Sequence, residues 1–304
     1  MRTNSEHHAK DSAGQIAMIN DYNLTKIVNS FKENGALIIR GGDPTVEDFE
    51  ALSKEFMVPM VHHSISTIER DIVNADATTS TVNKGMDAIP LHREGSYAPG
   101  CPDILMLYCV KPSDRGGETV VCDGVHLLET LPDRVRNFVD ATVLKWQWEA
   151  PRERWQSTLR AKTKDEALTR LEQIKSKFAV WEDFDAKFEA DRMYGSYKTL
   201  CAIPTKWGNK RAFCNSLLIY HFREASEYYA RELFSLTLDD GSPFPMQMLK
   251  EISEYAERAA CNVTWQPCDI LLIDNSRFMH GRRVFSDTSR RILIRMGHIP
   301  EGKL

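Results

Sequence analysis

The sequence predicts a mainly β fold with flanking helices (α+β), built by antiparallel double-sheet packing, and three observations predict it. Short β-rich runs punctuated by Gly and Pro crowd the region between about residues 78 and 121. A second β-rich group returns near the C-terminus, so strands early and late belong to a sheet system whose halves meet in space. The segments between are helical in pattern, and strands do not alternate regularly with helices as a doubly wound parallel sheet requires. No internal repeat, low-complexity tract or long linker divides the chain, which reads as one domain over 1–304.

The first elements follow from local chemistry. Residues 23–33 carry Leu24, Ile27, Val28 and Phe31 on one helical face, and Asn34-Gly35 stops that helix before the apolar strand 36–39. Asp43-Pro44 supplies an N-cap and a first-turn proline for a second helix to about Phe56, with Glu47 and Asp48 at the positive end of its dipole. Strands are expected at 78–82, 104–110, 118–121, 212–218, 269–273 and 292–296. The charged stretch 149–210 reads as a helical insertion or lid, with Trp146, Trp148 and Trp155 in its core. Gly241-Ser242-Pro243-Phe244-Pro245 breaks the chain before an amphipathic helix over 246–259.

Composition narrows the function classes. A formal charge of −4 and a pI near 6.2 argue against a nucleic-acid-binding surface, which needs clustered Lys and Arg. Seven cysteines with no C-x-x-C pair fit neither a disulfide framework nor a zinc ribbon, and make a reducing cytoplasm the expected home. Residues 1–12 lack the apolar core of a secretory signal, and no run approaches the roughly 20 apolar residues of a membrane helix. The expected partner is a small molecule, with neither nucleic acid nor membrane; homo-oligomer formation stays open.

One constellation carries chemistry. His92-Arg93-Glu94 is the chain's single H-x-[DE], and side chains two apart at a strand rim project to one face. His280 sits just past the apolar strand 269–273, a natural address for a ligand. Two imidazoles and one carboxylate can occupy one face of a ferrous ion and leave the other face open. By themselves these residues are balanced against ordinary hydrogen-bonded histidines and a solvated acid. Arg291 tips the balance: it lies eleven residues after His280 on a β-pattern stretch whose alternation turns Arg291, Leu293 and Arg295 to one interior face. A buried guanidinium calls for an anionic partner, and a carboxylate ligand satisfies it.

At these residues the chain resembles the taurine-dioxygenase-like (TauD/TfdA) family of Fe(II)/2-oxoglutarate-dependent oxygenases, within the clavaminate-synthase-like group. The resemblance runs in order through Leu91-His92-Arg93-Glu94, Gly116-Gly117-Glu118-Thr119, Trp265-Gln266-Pro267-Cys268-Asp269, Asp274-Asn275, His280-Gly281-Arg282 and Arg291. It implies a double-stranded β-helix (jelly-roll) core; His92, Glu94 and His280 as ligands of Fe(II); and Thr119 and Arg291 as holders of the distal carboxylate of 2-oxoglutarate, with O2 as second co-substrate. Glu94 stands where many members have Asp, and by keeping a carboxylate it argues against halogenation. Cys268 stands at a turn position where Gly is common. The implied reaction is hydroxylation of an unactivated C–H bond of a small polar metabolite, amino-acid-like or a natural-product intermediate, with release of succinate and CO2. A desaturase or oxidative cyclase on the same scaffold, and a non-catalytic metal-binding jelly-roll protein, are the alternatives. Candidate substrate contacts beside the motifs are Asn83, Ser96, Tyr97, Asn215 and Arg295, each with an ordinary turn, packing or backbone-capping role as its alternative.

Overall fold

A computed structural model describes residues 9–10, 16–61, 70–176, 178–222 and 234–304. Most of the stretch 1–12, read for the absence of a signal, lies outside the described residues. The fold is mixed α/β, with several sheets and, among the described residues, eight helices.

Two sheets frame the site. The larger runs in the order Ala9–Lys10, Ala17–Ile19, Ala36–Ile39, Ile270–Asp274, Ile104–Lys111, Arg291–His298, Val58–Pro59, with Ser80–Thr81 added beside Arg291–His298. The smaller runs Cys261–Val263, Thr119–Asp123, Phe278–Arg282, Ile89–His92. All pairings are antiparallel except Ala17–Ile19 with Ala36–Ile39. Alternation then assigns each face. Leu105, Leu107, Leu271, Ile273, Ile292 and Ile294 of the large sheet pack against Val121, Val263 and Phe278 of the small one, forming a core between the sheets.

The other face of the large sheet, with Met106, Tyr108, Leu272 and Leu293, is covered by Ile27, Phe31, Phe49 and Phe56 from helices Leu24–Asn34 and Val46–Phe56. Phe49 stacks on Tyr108 with ring centroids 5.3 Å apart. The first helix starts and stops as its residues dictate: the Asn23 side chain accepts from the Lys26 N–H, and Gly35, at φ 75°, takes the left-handed cap conformation. The second begins two residues later than expected. Thr45 rather than Asp43 is its cap, because Thr45 and Asp48 exchange hydrogen bonds in a capping box.

The insertion also differs from expectation. Within 149–210 only Arg152–Leu159 and Lys164–Lys175 are helices; Asp183–Glu189 and Arg192–Leu200 form a hairpin that pairs with Val143–Ala150 and, through it, Phe234–Leu238. The signal is period two: buried Phe184, Met193 and Tyr197 sit on strands whose intervening residues are charged or polar. The charge content hid it. Trp146 and Trp155 are buried in this unit's core and Trp148 packs against it, as expected. The expected strand over 212–218 is confined to Arg211–Ala212; beyond it the Asn215 side chain accepts from the Leu217 N–H and helix Leu217–Phe222 begins.

Candidate metal centre

His92 ends the strand Ile89–His92 and is paired directly across from His280 on Phe278–Arg282. The close pairing depends on Gly281, where a Cβ would lie 2.5 Å from the Ile89 carbonyl oxygen. The two imidazole rings are 4.3 Å apart at their centroids. Glu94 Oε2 lies 3.8 Å from His92 Nε2 and 3.7 Å from His280 Nε2. Two ligands held at about 2.1 Å by one first-row divalent metal can be no more than about 4.2 Å apart, so these separations fit a single ion. Among the described residues this is the one group of three His, Cys, Asp or Glu whose ligating atoms lie within 4.8 Å of one another.

The protonation states suit a metal. His92 Nδ1 faces the Pro90 carbonyl at 2.9 Å; as donor to it, the ring keeps the Nε2 lone pair directed toward Glu94. Burial, with the neighbouring His92 ring and Arg70 acting in the same direction, lowers the His280 imidazolium to about 3, so that ring is neutral at ordinary pH. Burial opposes ionisation of Glu94. The interaction with His92 and the positive charges around it outweigh that cost and keep its carboxyl well below the usual range. Asn275, fully buried, fixes the carboxylate's backbone: its Oδ1 accepts from the Glu94 N–H at 3.0 Å, while its Nδ2 donates to the Glu94 and Pro102 carbonyls at 3.0 and 2.8 Å.

Positive charge gathers on the same inter-sheet side. Arg282 shares the strand face of His280 and is 5% exposed; its guanidinium donates to the Asn83 and Asp87 carbonyls. Arg290 reaches across to the small sheet, where its Nε donates to the Gly117 carbonyl at 2.8 Å. A Cβ at Gly117 would meet the Arg290 side chain at 2.9 Å, so glycine there makes room for the guanidinium. Both guanidiniums lie against the Phe285 ring, at 5.0 and 5.3 Å. Burial and the neighbouring Arg282 lower the Arg290 guanidinium to about 10. Beside them Thr119 is buried, and its hydroxyl accepts from Trp265 Nε1 at 3.0 Å, leaving its own proton to donate.

Residues 14–296 match the taurine catabolism dioxygenase TauD, TfdA family. The chain belongs to that family. It is 26% identical over 275 residues to a clavaminate synthase-like protein of Arabidopsis thaliana, covering 86% of this chain and 81% of that one. Its fold resembles a taurine dioxygenase from Burkholderia xenovorans (TM-score 0.58, 14% identity, covering 93% and 85% of the two chains). It also resembles PvcB, described as an Fe, α-ketoglutarate-dependent oxygenase from an isonitrile synthetic pathway (TM-score 0.52, 12% identity, 95% and 89% covered).

Against this family frame, the structure brings together His92, Glu94 and His280, with Thr119 on the neighbouring strand. It does not bring Arg291 to them. Arg291 is exposed, opposite Lys111 at a bulge where the partner strand skips Val110. The interior arginine is Arg290, on the same side as Ile292 and Ile294. Arg295 is corrected likewise: alternation places it with Leu293 on the helix-covered face, where it is fully buried against Thr79 and lies 3.4 Å from Glu50 of helix Val46–Phe56. The alternation expected for these residues was right in period but assigned to the wrong face.

The other substrate candidates divide. Asn83 accepts from Arg70 Nε at 2.7 Å, and Arg70 Nη2 lies 3.8 Å from Glu94 Oε2, so one side chain separates Asn83 from the triad. The Tyr97 hydroxyl is pushed up to about 12 by burial and then by the nearby charge of Glu94, which puts it at the site. Ser96 bonds the Ser216 hydroxyl at 2.7 Å, and that hydroxyl in turn donates to the Arg93 carbonyl, while Asn215 donates to the Cys201 carbonyl at 2.7 Å; both Ser96 and Asn215 are buried and already partnered. Sequence reasoning missed Arg70, Arg290 and the clamp made by Asn275. Asp274-Asn275 stood among the family motifs, but a role in fixing Glu94 needs a contact across 181 residues.

Proposed function

We propose that the protein is a non-haem Fe(II)/2-oxoglutarate-dependent oxygenase that hydroxylates an unactivated C–H bond of a small polar metabolite, on a double-stranded β-helix core formed by the whole chain. The observation that carries this reading is the triad: two imidazoles and an ionised carboxylate within ligand distance of one another, with the guanidiniums of Arg282 and Arg290 on the same inter-sheet side. His92, Glu94 and His280 would hold the iron on one face. Thr119 and Arg290 would hold the distal carboxylate of 2-oxoglutarate, with Arg282 adding positive potential. When bound, iron with 2-oxoglutarate and O2 supplies an oxidant able to attack an unactivated C–H bond, with succinate and CO2 as by-products.

The chain's own residues position and enclose. Asn275 fixes the Glu94 backbone, and the Pro90 carbonyl fixes the His92 ring, so the ligands are preorganised. Arg154, on helix Arg152–Leu159, is close enough to Tyr97 for the two to interact electrostatically, which supports reading the insertion as a wall of the site. A wall there excludes water and orients the substrate, so that the C–H bond nearest the metal is the one that reacts.

Anaerobic addition of Fe(II) and 2-oxoglutarate to folded protein tests the reading. A weak visible charge-transfer band is expected, absent in Glu94→Ala. A wild-type protein that binds iron but gives no band would contradict it.

A further inference from the structure

Arg93 stands between the two ligands of the His92-Arg93-Glu94 segment, and the metal-centre reading gives its side chain no task. Its backbone is pinned. The N–H donates to the Asn215 carbonyl at 3.1 Å, and the carbonyl accepts from the Ser216 hydroxyl at 2.9 Å. The guanidinium is not pinned in this way: its Nε is buried with no hydrogen-bond partner. An apolar side chain would fill the same space without desolvating a charge, so keeping a guanidinium here calls for a counter-charge and a use.

The groups on other segments that act on Arg93 most are Cys101, Cys214, Tyr197 and Glu182. Burial raises both thiols and the phenol, so these three are neutral at ordinary pH. Glu182 is the charge that answers Arg93. Asp274 also faces it, but acts on it less, and its carboxylate already accepts from the Ser276 N–H and hydroxyl at 2.8 and 2.6 Å. Glu182 belongs to the insertion, one residue before the strand Asp183–Glu189. Its Oε2 accepts from the Ala179 N–H at 3.0 Å, and its Oε1 accepts from the hydroxyl of Tyr197 on Arg192–Leu200. Tyr197 is buried, so the pair is seated in the insertion's core rather than on its surface. The insertion thus reaches the ligand-bearing segment through two residues, Arg154 by way of Tyr97 and Glu182 by way of Arg93.

We propose that Arg93 is a positioning residue that couples the insertion to the metal centre. Glu182, oriented by Tyr197, holds the Arg93 guanidinium and through it the peptide units that carry His92 and Glu94. The inference rests on the metal-site reading above and adds to it a dependence of the metal on an element that contributes no ligand. The coupling is reciprocal: a well-seated insertion tightens metal binding, and bound metal steadies the insertion.

The test measures Fe(II) affinity of the full-length protein anaerobically, by competition with a chromogenic chelator, and then the visible band formed on adding 2-oxoglutarate. It compares wild type, Arg93→Met, Arg93→Lys, Glu182→Gln and the double variant of Arg93→Met with Glu182→Gln. Arg93→Met should lose about tenfold in iron affinity and shift the band, and Arg93→Lys, which keeps the charge, should recover most of that loss. Glu182→Gln keeps an acceptor for Tyr197 and removes the charge; it should lose about threefold or more, and the double variant should be no weaker than Arg93→Met alone. Losses that multiply in the double variant overturn the proposal, as does Glu182→Gln with the iron affinity and band of wild type. An Arg93→Met protein that unfolds more easily yet binds iron as wild type does makes Arg93 merely structural, which also overturns it. If Arg93→Met does not fold, Glu182→Gln decides alone. Wild-type protein that binds no iron refutes the metal-site reading itself, whereas the coupling fails by itself when wild type binds iron and the variants match it.

Discussion

Arg290 and Arg295 stand five residues apart at the last long strand, one turned toward the space between the sheets and the other toward the helices that cover the large sheet. Arg295 lies under helix Val46–Phe56 with Glu50 at 3.4 Å and Thr79 bonded to it, and Glu50 in turn accepts from Asn74 at 2.8 Å. Arg290 lies between the sheets, its bond running to a backbone carbonyl, and among its charged neighbours Arg282 perturbs it most. Both are desolvated. The difference is that the first has an acid built beside it, whereas the second has no acid within 4.0 Å among the described residues and, under the proposed function, would receive the cosubstrate's carboxylate. A buried cation paired within the fold stabilises that fold; one left unpaired costs stability until its ligand binds.

That contrast can be broken or sharpened in several ways. The largest expected effect is from Glu50→Ala, which strands Arg295 and should lower unfolding stability by about 3 kcal/mol in urea titrations, with 2-oxoglutarate affinity unchanged. A loss of cosubstrate binding as large as the loss of stability would mean the two faces are not separate.

At the far end of the same strand Asp103 is another pairing built into the fold. It accepts from Lys206 and from the Ile299 N–H, both at 2.9 Å, and lies near His298. Burial opposes its ionisation, but these partners bring the carboxyl down to about 2. A carboxyl whose folded value is depressed contributes stability at pH above its unfolded value near 4, and that contribution is lost as pH falls toward 2. Asp103→Asn should therefore cost about 2 kcal/mol at neutral pH and show a shallower acid limb between about pH 4 and 2. Parallel acid limbs in the two proteins would refute the assignment.

Arg290→Met should behave in the opposite sense. Removing a desolvated guanidinium should raise the stability of ligand-free protein by about 1 kcal/mol, while 2-oxoglutarate no longer raises its melting temperature. Destabilisation of the ligand-free form would make Arg290 structural, like Arg295.

The smallest effect belongs to a turn beside the large sheet. Cys268 adopts φ 69°, the left-handed region that favours glycine, and its thiol is partnered by the Tyr108 hydroxyl at 3.7 Å. Cys268→Gly should stabilise by up to about 1 kcal/mol, since Tyr108 keeps its stronger bond to the Pro44 carbonyl. A loss of stability would show that the thiol contact outweighs the backbone strain.

Much of this organisation was legible in the residues. His92 and Glu94 declare themselves by their two-residue spacing, and His280 by its place just after an apolar strand, although it lies on the next strand, in the other sheet. Helix Leu24–Asn34 is readable from Asn23 and Gly35, whose chemistry is local. Arg290 was not legible. A strand pattern starting at Arg291 predicts alternation correctly, but which face turns inward depends on the register across Lys111 and Cys109 and on the bulge at Val110. Arg70 lies 22 residues before His92 with no periodic pattern to mark it; its role is set by contacts with Asn83 and Glu94 that only the folded chain makes. The hairpin Asp183–Glu189 and Arg192–Leu200 was obscured because its outward face is largely charged or polar, which resembles a solvated helix when counted by composition.

The central claim is that the pocket between the sheets takes 2-oxoglutarate through Arg290 beside the His92–Glu94–His280 metal centre. The most direct test is a 2-oxoglutarate titration of Fe(II)-loaded wild type, Arg290→Ala and Arg291→Ala under anaerobic conditions, with iron binding measured in parallel. Loss of a charge-assisted, two-pronged contact should weaken affinity by about 100-fold in Arg290→Ala, with iron affinity retained, and Arg291→Ala should stay within about twofold of wild type. The reverse order, or equal losses of iron and 2-oxoglutarate binding in Arg290→Ala, would contradict the account.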